Sequence, residues 1–124
     1  MIMPGFANKV LVPLAAVLLP GATVAAGETP PDTPALVEKG KPQAGVAPCQ
    51  SCHGADGRSG VPMYPHLAGQ YRDYLVQSLK AYRSGARSNP TMNQQAKSLS
   101  DAEIQALATY YAEQEPAVKP LSLD

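Results

Sequence analysis

The sequence predicts an all-α fold, and three observations carry that expectation. Apolar residues recur at helical spacing in two segments: Tyr71, Leu75, Leu79 and Tyr82 step by four, four and three, and Ile104, Leu107, Ala108 and Tyr111 form a second stripe. Ser100 with Glu103 makes a capping box, and Leu99 and Ile104 stand where a hydrophobic staple would close over it. No segment alternates apolar and polar residues over a strand length, and there is no internal repeat.

The chain has 124 residues and a formal charge of zero, which bounds it to one small domain and gives no sign of nucleic-acid binding. Its one Phe is Phe6, and it has no Trp. The aromatic bulk past the first two dozen residues is six tyrosines, thin for a domain of this size.

In chain order, Lys9 precedes an uncharged run from Val10 to Gly27, with an apolar core to Leu19 broken by Pro20-Gly21. Val24-Ala25-Ala26 offers small residues to a signal peptidase, so residues 1–26 read as a secretory leader. An uncleaved anchor is the alternative, but the core is short for a span and carries Pro13 and Pro20. Residues 27–34 read as a proline-rich tether, 35–116 as the folded domain and 117–124 as a frayed tail. Ala35–Lys39 reads as a short helical turn stopped by Gly40. Pro42 is suited to the first position of a second helix leading on toward Cys49, with a kink or restart at Pro48.

Gly54–Gly60 is a turn-rich loop, and a helix begins at Tyr71 with Gly85 as its C-terminal cap. From Gly85 to Leu99 the sequence reads as a long polar loop, a length that in a small domain signals function. The last helix starts at Ser100 and is ended by Pro116.

The chemistry centres on Cys49-Gln50-Ser51-Cys52-His53, which holds both cysteines of the chain. This spacing attaches a c-type haem: each thiol forms a thioether with one vinyl group, and the adjacent histidine becomes the proximal iron ligand. A bare Cys-x-x-Cys would equally suit a thiol oxidoreductase or half a zinc site, and His53 removes most of that ambiguity. A buried haem would also supply the missing apolar bulk, so the apo-protein is expected to fold poorly. Met92, Met63 and His66 are the candidates for the sixth ligand. Met92 has the best context, lying in the polar loop between Asn89-Pro90 and Asn93, whose turn chemistry would fix it. Met63 lies only ten residues beyond His53, and His66 reads as a loop histidine near the haem edge. A thioether prefers ferrous iron, so a His/Met pair raises the reduction potential.

Together these residues resemble a class I c-type cytochrome over Leu36 to Gln114. The carriers are Cys49-x-x-Cys52-His53, Pro65-x-Leu67, Asn89-Pro90-x-Met92 and the Ser-Asp-x-Glu-Ile start of a final helix with paired tyrosines. The string from Tyr64 to Tyr71 is most similar to small periplasmic cytochromes and to single domains of periplasmic dihaem cytochromes; one motif makes this a monohaem version. The resemblance implies three to five short helices around one covalent haem c and a periplasmic location. It also implies that the Pro65 carbonyl accepts the proximal histidine's N–H, that Leu67 packs on the haem, and that the first and last helices cross near Tyr110 or Tyr111.

The function this implies is non-enzymatic: single-electron shuttling between redox protein partners, with no membrane span in the mature chain. A haem sensor or small enzyme with a displaceable sixth ligand is a second class, and a cytochrome subunit of a dehydrogenase or oxidase complex a third. Six basic residues and one acid between Arg58 and Lys97, against five acids and one base from Asp101 onward, would orient docking. Arg72, Arg83 and Arg87 are the candidates to neutralise haem propionates.

Overall fold

The computed structural model describes residues 29–119. The expected leader 1–26, the first two residues of the tether and residues 120–124 of the tail lie outside them. Five α-helices follow in order: α1 (Thr33–Lys39), α2 (Gln50–His53), α3 (Arg72–Ser84), α4 (Pro90–Ala96) and α5 (Asp101–Ala112). No strand occurs among the described residues, only a single antiparallel bridge between Lys41 and Val46.

Helix α1 begins two residues before the expected tether boundary. The Asp32 carboxylate accepts the Ala35 N–H at 3.1 Å, and Pro34 sits in the first turn, where its missing N–H costs nothing. The same residues that look like a proline-rich tether are therefore an N-terminal capping sequence. Leu36 and Val37 are its buried face. The helix expected from Pro42 is a single 3-10 turn, Pro42–Ala44, because Gly45 adopts the left-handed conformation and turns the chain back into the bridge at Val46. The chain restarts after Pro48, whose carbonyl accepts the Ser51 N–H at 3.1 Å, and α2 is one turn long.

Helix α3 buries Leu75 and Val76 and half-buries Leu79 and Tyr82, whereas Tyr71 is 82% exposed. Tyr71 occupies the N-cap, outside the helical rotation, so the stripe loses its first expected member and Val76 takes a place in the core. Gly85 ends the helix in the left-handed conformation. The expected loop from Gly85 to Leu99 contains α4. Asn89 caps it by accepting the Met92 N–H at 3.0 Å, and Pro90 is its first residue. Helix α5 carries the full capping box: Glu103 N–H to Ser100 Oγ at 3.1 Å, and Ser100 N–H to Glu103 Oε2 at 2.8 Å.

The core forms where α1, α3 and α5 converge. Val37, Ile104, Leu107, Ala108 and Tyr111 are essentially sealed from water, each contributing about 1 to 3 kcal/mol by its apolar area. Two lateral ties fix α3 on α5. Arg72 Nε donates to Thr109 Oγ1 at 2.9 Å, and Arg83 donates to the Leu99 carbonyl at 2.9 Å and to Asp101 Oδ1 at 2.5 Å.

Candidate functional site

A cavity of about 360 Å³ opens between α2, the loop after it, α3 and α4. Cys49, Cys52, His53, Pro65, Leu67 and Met92 all line it. Residues separated by as many as forty-three positions in the chain thus face one apolar space in the size range of cofactor pockets.

On one side, α2 presents Cys49 at its start, Cys52 in its turn and His53 as its last residue. Both thiols are free, and burial raises the Cys49 thiol above its ordinary value. His53 is buried, and its Nδ1 lies 2.9 Å from the Pro65 carbonyl oxygen. A carbonyl only accepts, so Nδ1 carries the proton and Nε2 keeps the lone pair that a metal would take. The Tyr64 ring packs edge-on to the imidazole at 6.3 Å.

The loop that carries Pro65 is pinned from below. The Gly57 carbonyl accepts both the Leu67 N–H at 2.8 Å and the Ala68 N–H at 3.1 Å. Gly57 has φ +75°, and a Cβ there would stand 2.7 Å from the Ala68 nitrogen and 2.9 Å from the Tyr111 ring, so only glycine fits. The paired tyrosines of α5 close the other end of this loop. Tyr110 Oη donates to the Ala55 carbonyl at 2.7 Å and Tyr111 Oη to the Gly54 carbonyl at 3.3 Å.

On the other side, α4 carries Met92, which is half-buried. Met63 also reaches the cavity but is 79% exposed. His66 lines the rim, is exposed, and accepts the Ser59 N–H at its Nδ1 at 2.9 Å. The structure therefore gathers all three sixth-ligand candidates around one space but gives only Met92 a sheltered position on a capped helix.

It also separates the three arginines. Arg72 and Arg83 are committed to α5, while Arg87 lines the cavity mouth. Its guanidinium approaches Tyr74 Oη at 3.4 Å and Ser78 Oγ at 3.3 Å and lies 4.8 Å over the Tyr82 ring. The hydrogen bond from Arg87 holds the Tyr74 phenol below its ordinary value, and the same bond raises the Arg87 guanidinium. Reading the sequence for apolar stripes passed over this arrangement. Tyr74, Ser78 and Tyr82 recur every fourth residue on one face of α3, which was the available signal.

The donor set fits a haem: two free thiols one helical turn apart, an imidazole with Nδ1 fixed, an apolar floor of Leu67, Leu75 and Leu79, and a thioether opposite in the chain order. Known proteins agree with that fit. A family model described as cytochrome c matches residues 37–113. A cytochrome c-554(548) of Halomonas halodenitrificans is 44% identical over 73 residues, covering 56% of this chain and 88% of the relative. A thiosulfate dehydrogenase electron acceptor of Thiomonas intermedia is 45% identical over 76 residues, covering 60% and 35%. Among solved structures, reduced cytochrome c4 from Pseudomonas stutzeri superposes with a TM-score of 0.61 at 31% identity, over 67% of this chain and 46% of that one. The chain thus spans most of the first relative and less than half of the other two.

Proposed function

The chain belongs to the cytochrome c family and holds haem c covalently through Cys49 and Cys52; from that premise we propose that it is a periplasmic shuttle moving single electrons between redox proteins. Bound there, haem c supplies a one-electron iron couple whose potential is raised by thioether ligation. The work of the chain's own residues is to hold that group and to limit what changes around it.

His53 is the proximal ligand through Nε2. Its Nδ1–H, held by Pro65, fixes the ring plane and makes the imidazole a stronger donor. Met92 is the distal ligand. Bound haem would be held by His53 and Met92, both on capped or pinned segments, so the protein around it would rearrange little on electron transfer and these two side chains would compete with small external ligands. Leu67, which lines the cavity, would pack on the bound haem. Arg87, held by Tyr74 and Ser78 at the cavity mouth, would offer its charge to a propionate of the bound haem.

The single observation that supports this reading most is the hydrogen bond from His53 Nδ1 to the Pro65 carbonyl, which leaves Nε2 free to take a metal. Residues 1–26 would direct export, residues 35–116 would form the haem domain, and no described helix is long and apolar enough to cross a membrane.

The likeness to a thiosulfate dehydrogenase electron acceptor favours a second, compatible reading, in which the immediate electron donor is a dehydrogenase. A stable enzyme that co-purifies with the holoprotein would establish it. A redox-titrated absorption spectrum tests the shuttle reading itself. One reversible single-electron transition, with the long-wavelength ferric band of methionine ligation and no carbon monoxide binding by the reduced protein, is expected. Ready carbon monoxide binding without that band would overturn it.

A further inference from the structure

We propose that Asn93 is a positioning residue that latches Met92, and with it Arg87, onto the cavity; this rests on Met92 as the distal ligand. Asn93 follows Met92 directly on α4, and its side-chain amide spans three backbone groups, one on α3 and two in the connection between α3 and α4. Its Nδ2 donates to the Tyr82 carbonyl at 2.7 Å and to the Arg87 carbonyl at 2.8 Å. Its Oδ1 accepts the Asn89 N–H at 2.8 Å.

The three bonds do different things. The first ties α4 to the last turn of α3, so the helix bearing Met92 cannot slide along its neighbour. The second fixes the backbone of Arg87, whose guanidinium rests on the Tyr82 ring and at the cavity mouth. The third closes a reciprocal pair. Asn89 Oδ1 holds the Met92 N–H at 3.0 Å while Asn93 Oδ1 holds the Asn89 N–H, so the cap that starts α4 is itself held.

On the far side, Gln95 Oε1 accepts the Ala47 N–H at 2.7 Å, which anchors the other end of the same helix to the segment before Cys49. Along the helix, Asn93 and Gln95 leave Met92 little freedom to withdraw. Without Asn93 the Tyr82 and Arg87 carbonyls lose the amide that donates to them, and the side-chain bonds that hold α4 are reduced to the Asn89 cap and Gln95.

The consequence is a coupling between ligand strength and one amide outside the ligand set. If Asn93 holds Met92 in place, weakening it raises the fraction of protein in which the sulfur has left the iron, and an external ligand competes better. Imidazole added to the ferric holoprotein is the probe, with the methionine charge-transfer band as the spectroscopic readout. Asn93→Ala is expected to bind imidazole about tenfold more tightly, on the scale that one or two lost hydrogen bonds set. Asn93→Asp keeps the oxygen that caps Asn89 but loses both donors, and it should also bind more tightly. It decides the question if the alanine variant yields no holoprotein.

Arg72→Ala, whose side chain is tied to Thr109 of α5 and makes no bond to α4, serves as the destabilised control and should leave imidazole affinity unchanged. Wild-type imidazole affinity in Asn93→Asp, or an equal gain in Arg72→Ala, would overturn the latch. Met92→Ala separates this outcome from a wrong ligand. If it loses the band while the Asn93 variants behave as wild type, the latch alone fails; if it keeps the band, the ligand reading fails with it.

Discussion

Lys41 and Glu103 meet at 2.9 Å across sixty-two residues of sequence, and both groups are partly sheltered from water. Lys41 Nζ also donates to the Ser98 carbonyl at 3.1 Å, and Glu103 is the acid of the α5 capping box. One ammonium thus joins the segment that leads into the haem motif to the start of the last helix. Burial pushes the Glu103 carboxyl up, but the Ser100 N–H and Lys41 together outweigh it, leaving the group below its ordinary range.

The pH dependence follows from that sign. A depressed carboxyl stabilises the fold above its unfolded value and loses that contribution as pH falls through the folded one. Lys41→Ala is expected to cost about 1 kcal/mol at neutral pH and to flatten the loss of stability on acidification. Chemical denaturation of the holoprotein at neutral pH and at about pH 3 checks both parts. An unchanged acid slope in the variant would count against the pairing.

Met92→Ala is expected to abolish the methionine charge-transfer band and to open the reduced protein to carbon monoxide. Met63→Ala should change neither, because Met63 is 79% exposed at the rim. Loss of the band in the Met63 variant instead would reassign the ligand.

Arg87→Gln removes a positive charge from the cavity mouth while keeping a polar side chain. An unscreened propionate then stabilises the ferric form, so the reduction potential should fall by an amount on the order of 60 mV, a tenfold change in a one-electron equilibrium. The Tyr74 phenol should titrate higher once its hydrogen bond from Arg87 is gone. Arg72→Gln, which alters a charge tied to α5, should move the potential much less. Potentiometric titration of the two variants side by side tests the assignment.

Gly57→Ala should destabilise the holoprotein by about 2 kcal/mol or more, since the added carbon meets both the Ala68 nitrogen and the Tyr111 ring in a left-handed backbone. The damage lies in the loop that carries Pro65, so the imidazole anchor should loosen as well. A normal melting temperature for the variant would mean the loop has room that the geometry denies it.

Much of this was legible in the chain because the signals were local. Ser100 and Glu103 announce α5 through a box of four residues, and the burial of Ile104, Leu107, Ala108 and Tyr111 follows from helical spacing alone. The haem motif is likewise contiguous. What stayed hidden depended on position within a helix or on partners far away. Asn89-Pro90 is an N-cap followed by a first-position proline, but the polar residues after it carry no apolar stripe, so α4 read as loop. Tyr71 fitted the α3 stripe by counting and failed because the N-cap residue is not yet rotating with the helix. That Arg87 stands at the cavity mouth while Arg72 and Arg83 are tied elsewhere needed their distant partners Thr109 and Leu99, which no spacing along α3 could supply.

The paired tyrosines of α5 have a bearing on maturation. Their hydroxyls grip the carbonyls of Gly54 and Ala55, the two residues that follow His53. Those grips exist only after the last helix has been made and has docked. Before that docking, the segment behind Cys49, Cys52 and His53 lacks its two clasps, so closure of the haem-motif end of the cavity depends on the last helix of the chain.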